Sequence, residues 1–164
     1  MGLERTVCVI NGLGSVYETD VFEGAIRCIE SLSGKKYGIG DETTRAIRIV
    51  ADHVRTATFM LGDQIGVTPS NVDQGYVLRR LIRRAIRFMR SLGIGKGEMV
   101  KLAAHYVDFY AEVYPELAEN RQKIMDELTK EEEKFSRALE QGTKEFERAA
   151  AKAQNGVIDG QTAF

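Results

Sequence analysis

Apolar residues recur along this chain at intervals of three and four, the spacing that lines one face of an α-helix. Leu3, Val7 and Ile10 begin the pattern, and Gly12-Leu13-Gly14-Ser15 ends this first, clipped element. A second helix is expected from about Asp20 to Leu32, with Val21, Phe22, Ala25, Ile26, Cys28, Ile29 and Leu32 as a broad apolar stripe. After a glycine-rich loop, Asp41 offers an N-cap for a third helix reaching Gly62 or Ile65. That helix is apolar around more than half its circumference, which predicts a central position in the packing. Residues 66–75 read as a polar, turn-rich connector, followed by helices over about Tyr76–Leu92 and Glu98–Val113. Pro115 suits a first helical turn, and a long amphipathic helix runs from there to about Ala153 through Leu117, Ile124, Leu128, Phe135, Ala138, Leu139, Phe146 and Ala149. The glutamate run Glu131-Glu132-Glu133 reads as a solvated face of it. Three to five helices packed through such seams make an all-α bundle. Strand character is confined to Val157 and Ile158.

Composition agrees with a folded, helical chain. Its 164 residues are 43% hydrophobic and 29% charged, enough to bury a core and too apolar for disorder. Two prolines and no tryptophan, with runs rich in Ala, Leu, Glu, Lys and Arg, favour helix. No run approaches the ~18 apolar residues needed to cross a bilayer, and the N-terminus lacks the layout of a signal peptide. Cys8 and Cys28 are too few for a disulfide framework and are expected as small core residues in a reducing, cytoplasmic setting.

Charge changes the picture more than composition does. The formal net charge is −1, yet residues 76–111 carry eight basic and two acidic side chains. At 100 degrees per residue, Arg79, Arg90, Arg83, Arg87, Arg80 and Arg84 share an arc of about 140 degrees, and the apolar residues of the same helix occupy the remainder. The centre of that arc points to Arg83 and Arg87 as the outward pair. Like charges four residues apart destabilise a helix unless an anion answers them. Two answers are open and can hold together, part of the row paired and part exposed: carboxylates of the long C-terminal helix, such as Glu131 to Glu133, or the phosphates of a nucleic acid. Acidic proteins and lipid headgroups also suit such a stripe. Just upstream, Ser70, Asn71, Asp73 and Gln74 are ordinary turn and cap residues by type, but they stand where a loop could read base edges while the arginines hold the backbone.

Other candidates are weak. Asp52-His53 and His105 lack ligand-spaced companions, so no metal site is expected. Gly93-Ile94-Gly95-Lys96-Gly97 is neither a Walker loop nor a dinucleotide fingerprint. No serine, cysteine or carboxylate pair has the company that catalysis needs.

Several runs together resemble the alanyl-tRNA synthetase family over essentially the whole length. They are Gly2-Leu3-Glu4-Arg5-Thr6, Tyr17-Glu18-Thr19-Asp20, Ile49-Val50-Ala51-Asp52-His53-Val54-Arg55-Thr56, Pro69-Ser70-Asn71, Gly75 to Ala85 with its four arginines, Glu131-Glu132-Glu133-Lys134-Phe135 and Asp159-Gly160-Gln161-Thr162-Ala163-Phe164. The resemblance implies that residues 1–15 are the end of a class II catalytic domain, closing its third signature motif, and that residues 16–164 are a C-terminally truncated helical domain for recognising the tRNA acceptor stem. Arg5 matches the arginine that contacts ATP phosphates in the family. Family members activate alanine with ATP and Mg and attach it to tRNA(Ala); this piece alone, without the upstream catalytic sheet, is expected to be inactive and to hold neither cofactor.

In the family, an asparagine in the loop before the arginine-rich helix reads the G·U wobble pair of the acceptor stem. Asn71 is the positional match, with Asp73 beside it as a competing candidate. A second reader, an aspartate, is expected beyond Phe164, and an editing domain downstream. Arg79, Arg80, Arg83, Arg84 and Arg87 would supply backbone affinity. Two other readings stay open: a stand-alone helical RNA-binding module, favoured by a gene boundary at Met1, and a helical protein-interaction domain whose arginines dock an acidic partner.

Overall fold

The computed structural model describes residues 2–152 together with 157, 158 and 160. Among these the chain forms α1 (Leu3–Ile10), a 3-10 turn (Val16–Glu18), α2 (Asp20–Ser33), α3 (Asp41–Gly62), α4 (Asp73–Ser91), α5 (Met99–Tyr110), α6 (Pro115–Glu119) and α7 (Arg121–Lys152), with no β-strand. The all-α expectation and the long C-terminal helix hold. Among the described residues there are seven α-helices where three to five were expected, since the short α1 and α6 are elements of their own. The chain divides into two compact units, residues 1–132 and 133–164.

In the first unit α3 is the hub, as its nearly all-round apolar surface predicts. Helices α2, α4, α5 and α6 all pack on it. Ile47, Val50, Ala51, Val54, Ala57 and Leu61 of α3 are buried. Tyr106 of α5 is buried too, and its hydroxyl donates to the Ala51 carbonyl at 3.0 Å, the partner that such burial requires. At the far end of α3, a Cβ on Gly62 would stand 2.5 Å from the Leu117 side chain and 2.9 Å from that of Ile124, so the missing side chain makes room for these two buried residues of α6 and α7.

Three of the boundaries that differ from the expectation have a local reason, and α5 ends at Tyr110, three residues short of the expected Val113. Asp41 is the first helical residue and Gly40, at φ +81, precedes it as the cap, so the carboxylate serves the helix dipole without bonding an end amide. The fourth helix begins at Asp73, three residues early, on an aspartate in the left-handed region at φ +48. The helix expected to run on from Pro115 breaks at Asn120, whose side-chain amide turns aside to donate to the Gly62 carbonyl at 3.0 Å. Cys8 and Cys28 are half-buried free thiols, Cys8 donating to the Leu13 carbonyl, where full burial was expected.

The second unit is the C-terminal part of α7. Glu133 and Arg137 pair one turn apart at 3.2 Å, and Thr143 donates to the Leu139 carbonyl. Most of the apolar seam predicted there stands in solvent: Ala138 and Leu139 are exposed and Phe146 is 63% exposed, while Phe135 and Ala149 are half-buried. The expected helix end at Ala153 and the Thr162-Ala163-Phe164 tail lie outside the described residues. Among the described residues no helix is long and apolar enough to cross a membrane.

Candidate nucleic-acid interface

The loop before α4 is built on its own backbone. Ser70 Oγ accepts from the Val72 amide and donates to the Val72 carbonyl, closing a tight turn around Asn71. The Ser70 amide then donates to the Gly75 carbonyl at 3.1 Å, which folds the loop back on the first turn of the helix. Gly75 permits this, because a Cβ there would lie 2.6 Å from the Thr68 carbonyl oxygen. Asn71 and Asp73 are both exposed. The Asn71 side-chain oxygen accepts from the Arg79 guanidinium, so the loop and the helix form one surface.

Along α4, Leu78, Ile82, Ala85, Ile86 and Met89 are buried. The arginines divide by their angle from that buried set. Arg80, Arg84 and Arg87 are exposed and have no ion-pair partner among the described residues. Arg80 lies 5.7 Å over the Tyr76 ring, sharing it with Arg79 at 5.5 Å, and Arg84 lies 5.9 Å from the Phe88 ring. Such cation–π contacts hold a guanidinium near one place without consuming its donors.

Arg83 corrects the expectation that it points outward with Arg87. Its Nε donates to Glu131 Oε1 at 2.6 Å, with Arg83 35% exposed and Glu131 5% exposed. The reason is a rotation: Val77 and Phe88, counted as apolar face, lie at its margin, so the buried arc is centred about 40 degrees away from the symmetric guess at 100 degrees per residue. The outward direction moves with it, from between Arg83 and Arg87 to between Arg80, Arg87 and Arg84. Glu131 and Glu132 are likewise not a solvated face. Both are buried, and Glu132 accepts from the Gly97 amide at 3.2 Å. The carboxylate answer to the arginine row therefore holds for Arg83, while three members of the row keep their charge for a ligand.

Of two clefts in the first unit, only one includes an arginine of α4. That one, of about 560 Å³, is lined by Tyr17, Asp41, Thr44, Arg45, Arg48, Ile49 and Arg84. Sequence reading missed Arg45 and Arg48, although their spacing of three marks one face of α3. A larger, mostly apolar cleft of about 600 Å³ lies among Leu3, Val7, Phe59, Met60 and Tyr110, with Glu4 and Arg55 in its wall. Those two charges pair with each other at 3.1 Å, and a backbone hydrogen bond at Glu4, more than Arg55 itself, holds its carboxyl below the usual range. It presents no unanswered cation. Arg5 is exposed on the same helix, apart from the α4 row. His53 contacts the neighbouring Asp52 carboxylate at 3.1 Å, and no group of three metal-ligating side chains occurs among the described residues.

The geometry is that of a helix-borne cationic face beside a structured polar loop, and sequence relatives give it a context. The family model for class II (A) tRNA synthetases matches residues 1–164, and the chain belongs to that family. Over its full length it is 46% identical to a protein named alanine–tRNA ligase from Borreliella afzelii (strain PKo) and 47% identical to one of the same name from Treponema pallidum (strain Nichols). It is 40% identical to another from Acidothermus cellulolyticus. The chain spans 28% of the length of the first two and 18% of the third.

Proposed function

We propose that this chain is the tRNA-recognition part of an alanine–tRNA ligase, an enzyme that activates alanine with ATP and Mg and joins it to tRNA(Ala) in the cytoplasm. Residues 1–15 end the catalytic domain in this reading, and residues 16–164 grip the acceptor stem, with the catalytic domain before them and an editing domain after. The observation that carries it is the exposed trio Arg80, Arg84 and Arg87, unpaired among the described residues and adjoining the Asn71 loop.

Each group has a distinct task. The trio and Arg79 contact backbone phosphates, a sequence-blind and salt-sensitive attraction. Arg83 acts through the fold, by locking α4 to Glu131. Asn71 reads: its side-chain oxygen has two lone pairs, Arg79 takes one, and the other accepts from the guanine exocyclic amino group, which a G·U wobble leaves unbonded to its partner base and a G·C pair does not. Asp73, a bare carboxylate on the same turn, disfavours phosphate at its own position and confines the backbone to the arginine side. Arg5 is a phosphate ligand only in company with catalytic-domain residues. In this chain no second polyphosphate donor accompanies it on α1, so no nucleotide step is assigned to the chain.

The test is binding of a short acceptor-stem RNA hairpin carrying a G·U pair, and of its G·C counterpart, across a range of salt. Arg80→Ala with Arg87→Ala should weaken both complexes equally and reduce the slope of log affinity against log salt by about two, one for each phosphate no longer neutralised. Asn71→Ala should narrow the preference for G·U with little change in slope. An unaltered slope in the double arginine variant would refute the assignment.

A further inference from the structure

We propose that the cleft between α3 and α4 is a second phosphate-binding position for the RNA backbone, with Arg48 as its fixed fork and Arg45 and Arg84 as its arms. The inference rests on reading α4 as an RNA-binding face, and it widens that face from one helix to two.

Arg48 is built to hold still. Its guanidinium lies 5.0 Å from the Tyr17 ring and 5.4 Å from the Tyr37 ring. Its Nε donates to the Tyr37 hydroxyl at 2.8 Å. Tyr37 is fixed in turn, since its backbone amide donates to the Glu30 carboxylate at 2.8 Å. These contacts use the ring faces and one N–H. Both terminal amino groups of Arg48 are left without an acceptor among the described residues, and a planar fork of that kind matches two oxygens of one phosphate. Held this way, the side chain has already lost the freedom that binding would otherwise cost.

The rest of the lining agrees in charge and position. Arg45 is exposed without an ion-pair partner among the described residues, and Arg84 belongs to both the cleft and the outward row of α4. Three guanidiniums face one carboxylate, Asp41. The Thr44 hydroxyl is already engaged with Gly38 and Gly40, so it is wall and not ligand. Because Arg84 is shared, one strand can pass from the trio on α4 into the cleft without crossing neutral surface. That continuity favours a polymer of phosphates over a lone small anion.

Arg45→Ala and Arg87→Ala variants of the chain should be titrated with the same RNA hairpin, with circular dichroism confirming that each is folded. Arg45 is exposed and its side chain makes no hydrogen bond or ion pair among the described residues, so its loss should leave the melting temperature unchanged while weakening binding severalfold and reducing the salt slope by about one. Tyr37→Phe, which frees Arg48 without changing charge, should weaken binding at an unchanged slope. If Arg87→Ala flattens the slope and Arg45→Ala does not, the cleft is refuted and the α4 face survives. If neither does, both readings fall. If inorganic phosphate at constant ionic strength binds the parent chain but not the Arg45→Ala variant, and does so without displacing RNA, the cleft takes a small anion and the proposal is overturned.

Discussion

Gly75 carries two loads at once. Its carbonyl receives the Ser70 amide, and its missing side chain admits the Thr68 carbonyl to a place where a Cβ would stand 2.6 Å from it. Backbone cannot swing aside as the tip of a side chain can. Gly75→Ala should therefore cost about 1–3 kcal/mol, the usual penalty for overpacking, and should expose the Ser70 amide to exchange. Urea denaturation and hydrogen exchange at Ser70 check the two effects. His105 makes a second prediction at this scale. Burial holds its imidazole below the ordinary value, against the partial restoring effect of Asp108. The unfolded chain therefore takes up the proton first, near pH ~6.5. Stability is full above that pH, falls as the pH drops through it, and levels off below the folded value. The fall in melting temperature between neutral and mildly acid pH should be smaller in His105→Gln than in the parent chain. An equal fall would mean that other groups set the acid limit.

Among the elements, α4 shows what a sequence can disclose and what it cannot. Segregation of six arginines from an apolar face follows from residue order alone, because a helix turns by a fixed angle per residue. Which arginine faces outward does not follow. It depends on how the helix is rolled against α3, and that roll is set by side chains far away in the chain. Val77 and Phe88 look like core by type and lie at its margin; Glu131 and Glu132 look like surface and are buried. The break at Asn120 escaped for the same reason, since its partner, the Gly62 carbonyl, is distant in sequence. The loop candidate Asn71 could be picked out by its position beside the arginine helix, whereas the cleft with Arg45 and Arg48 exists only once α3 and α4 are packed. The Arg83–Glu131 pair gives this scale its prediction. Breaking a buried pair costs about 3–5 kcal/mol, and hydration of the partly exposed Arg83 should return some of it, leaving about 2–3 kcal/mol for Glu131→Ala. Replacing both, Arg83→Met with Glu131→Leu, should restore most of that stability. Should the double variant be as unstable as the single one, the pair is not what locks α7 to α4.

At the level of the whole molecule, burial and charge are distributed so unevenly that stability should be uneven as well. In residues 1–132 the core is contiguous around α3, and nearly every apolar residue of α3 and α4 has neighbours to pack against. In α7 from Arg137 to Arg148 every residue is exposed. A helix there depends on its intrinsic propensity and on pairs such as Arg137–Glu133, each worth only a few tenths of a kcal/mol. Isolated helices of this length are marginal in water. Opening that segment should therefore cost far less than unfolding the core, and the two should be separable by amide exchange. The expected outcome is rapid exchange from Arg137 to Arg148 and slow exchange, limited by global unfolding, at Val50, Val54, Ile82 and Ile86. Binding of the RNA hairpin should slow exchange in the loop at Asn71 and the first turns of α4 and leave residues 137–148 as they were. Protection of that distal segment by RNA, with no change at α4, would move the interface off the arginine face altogether.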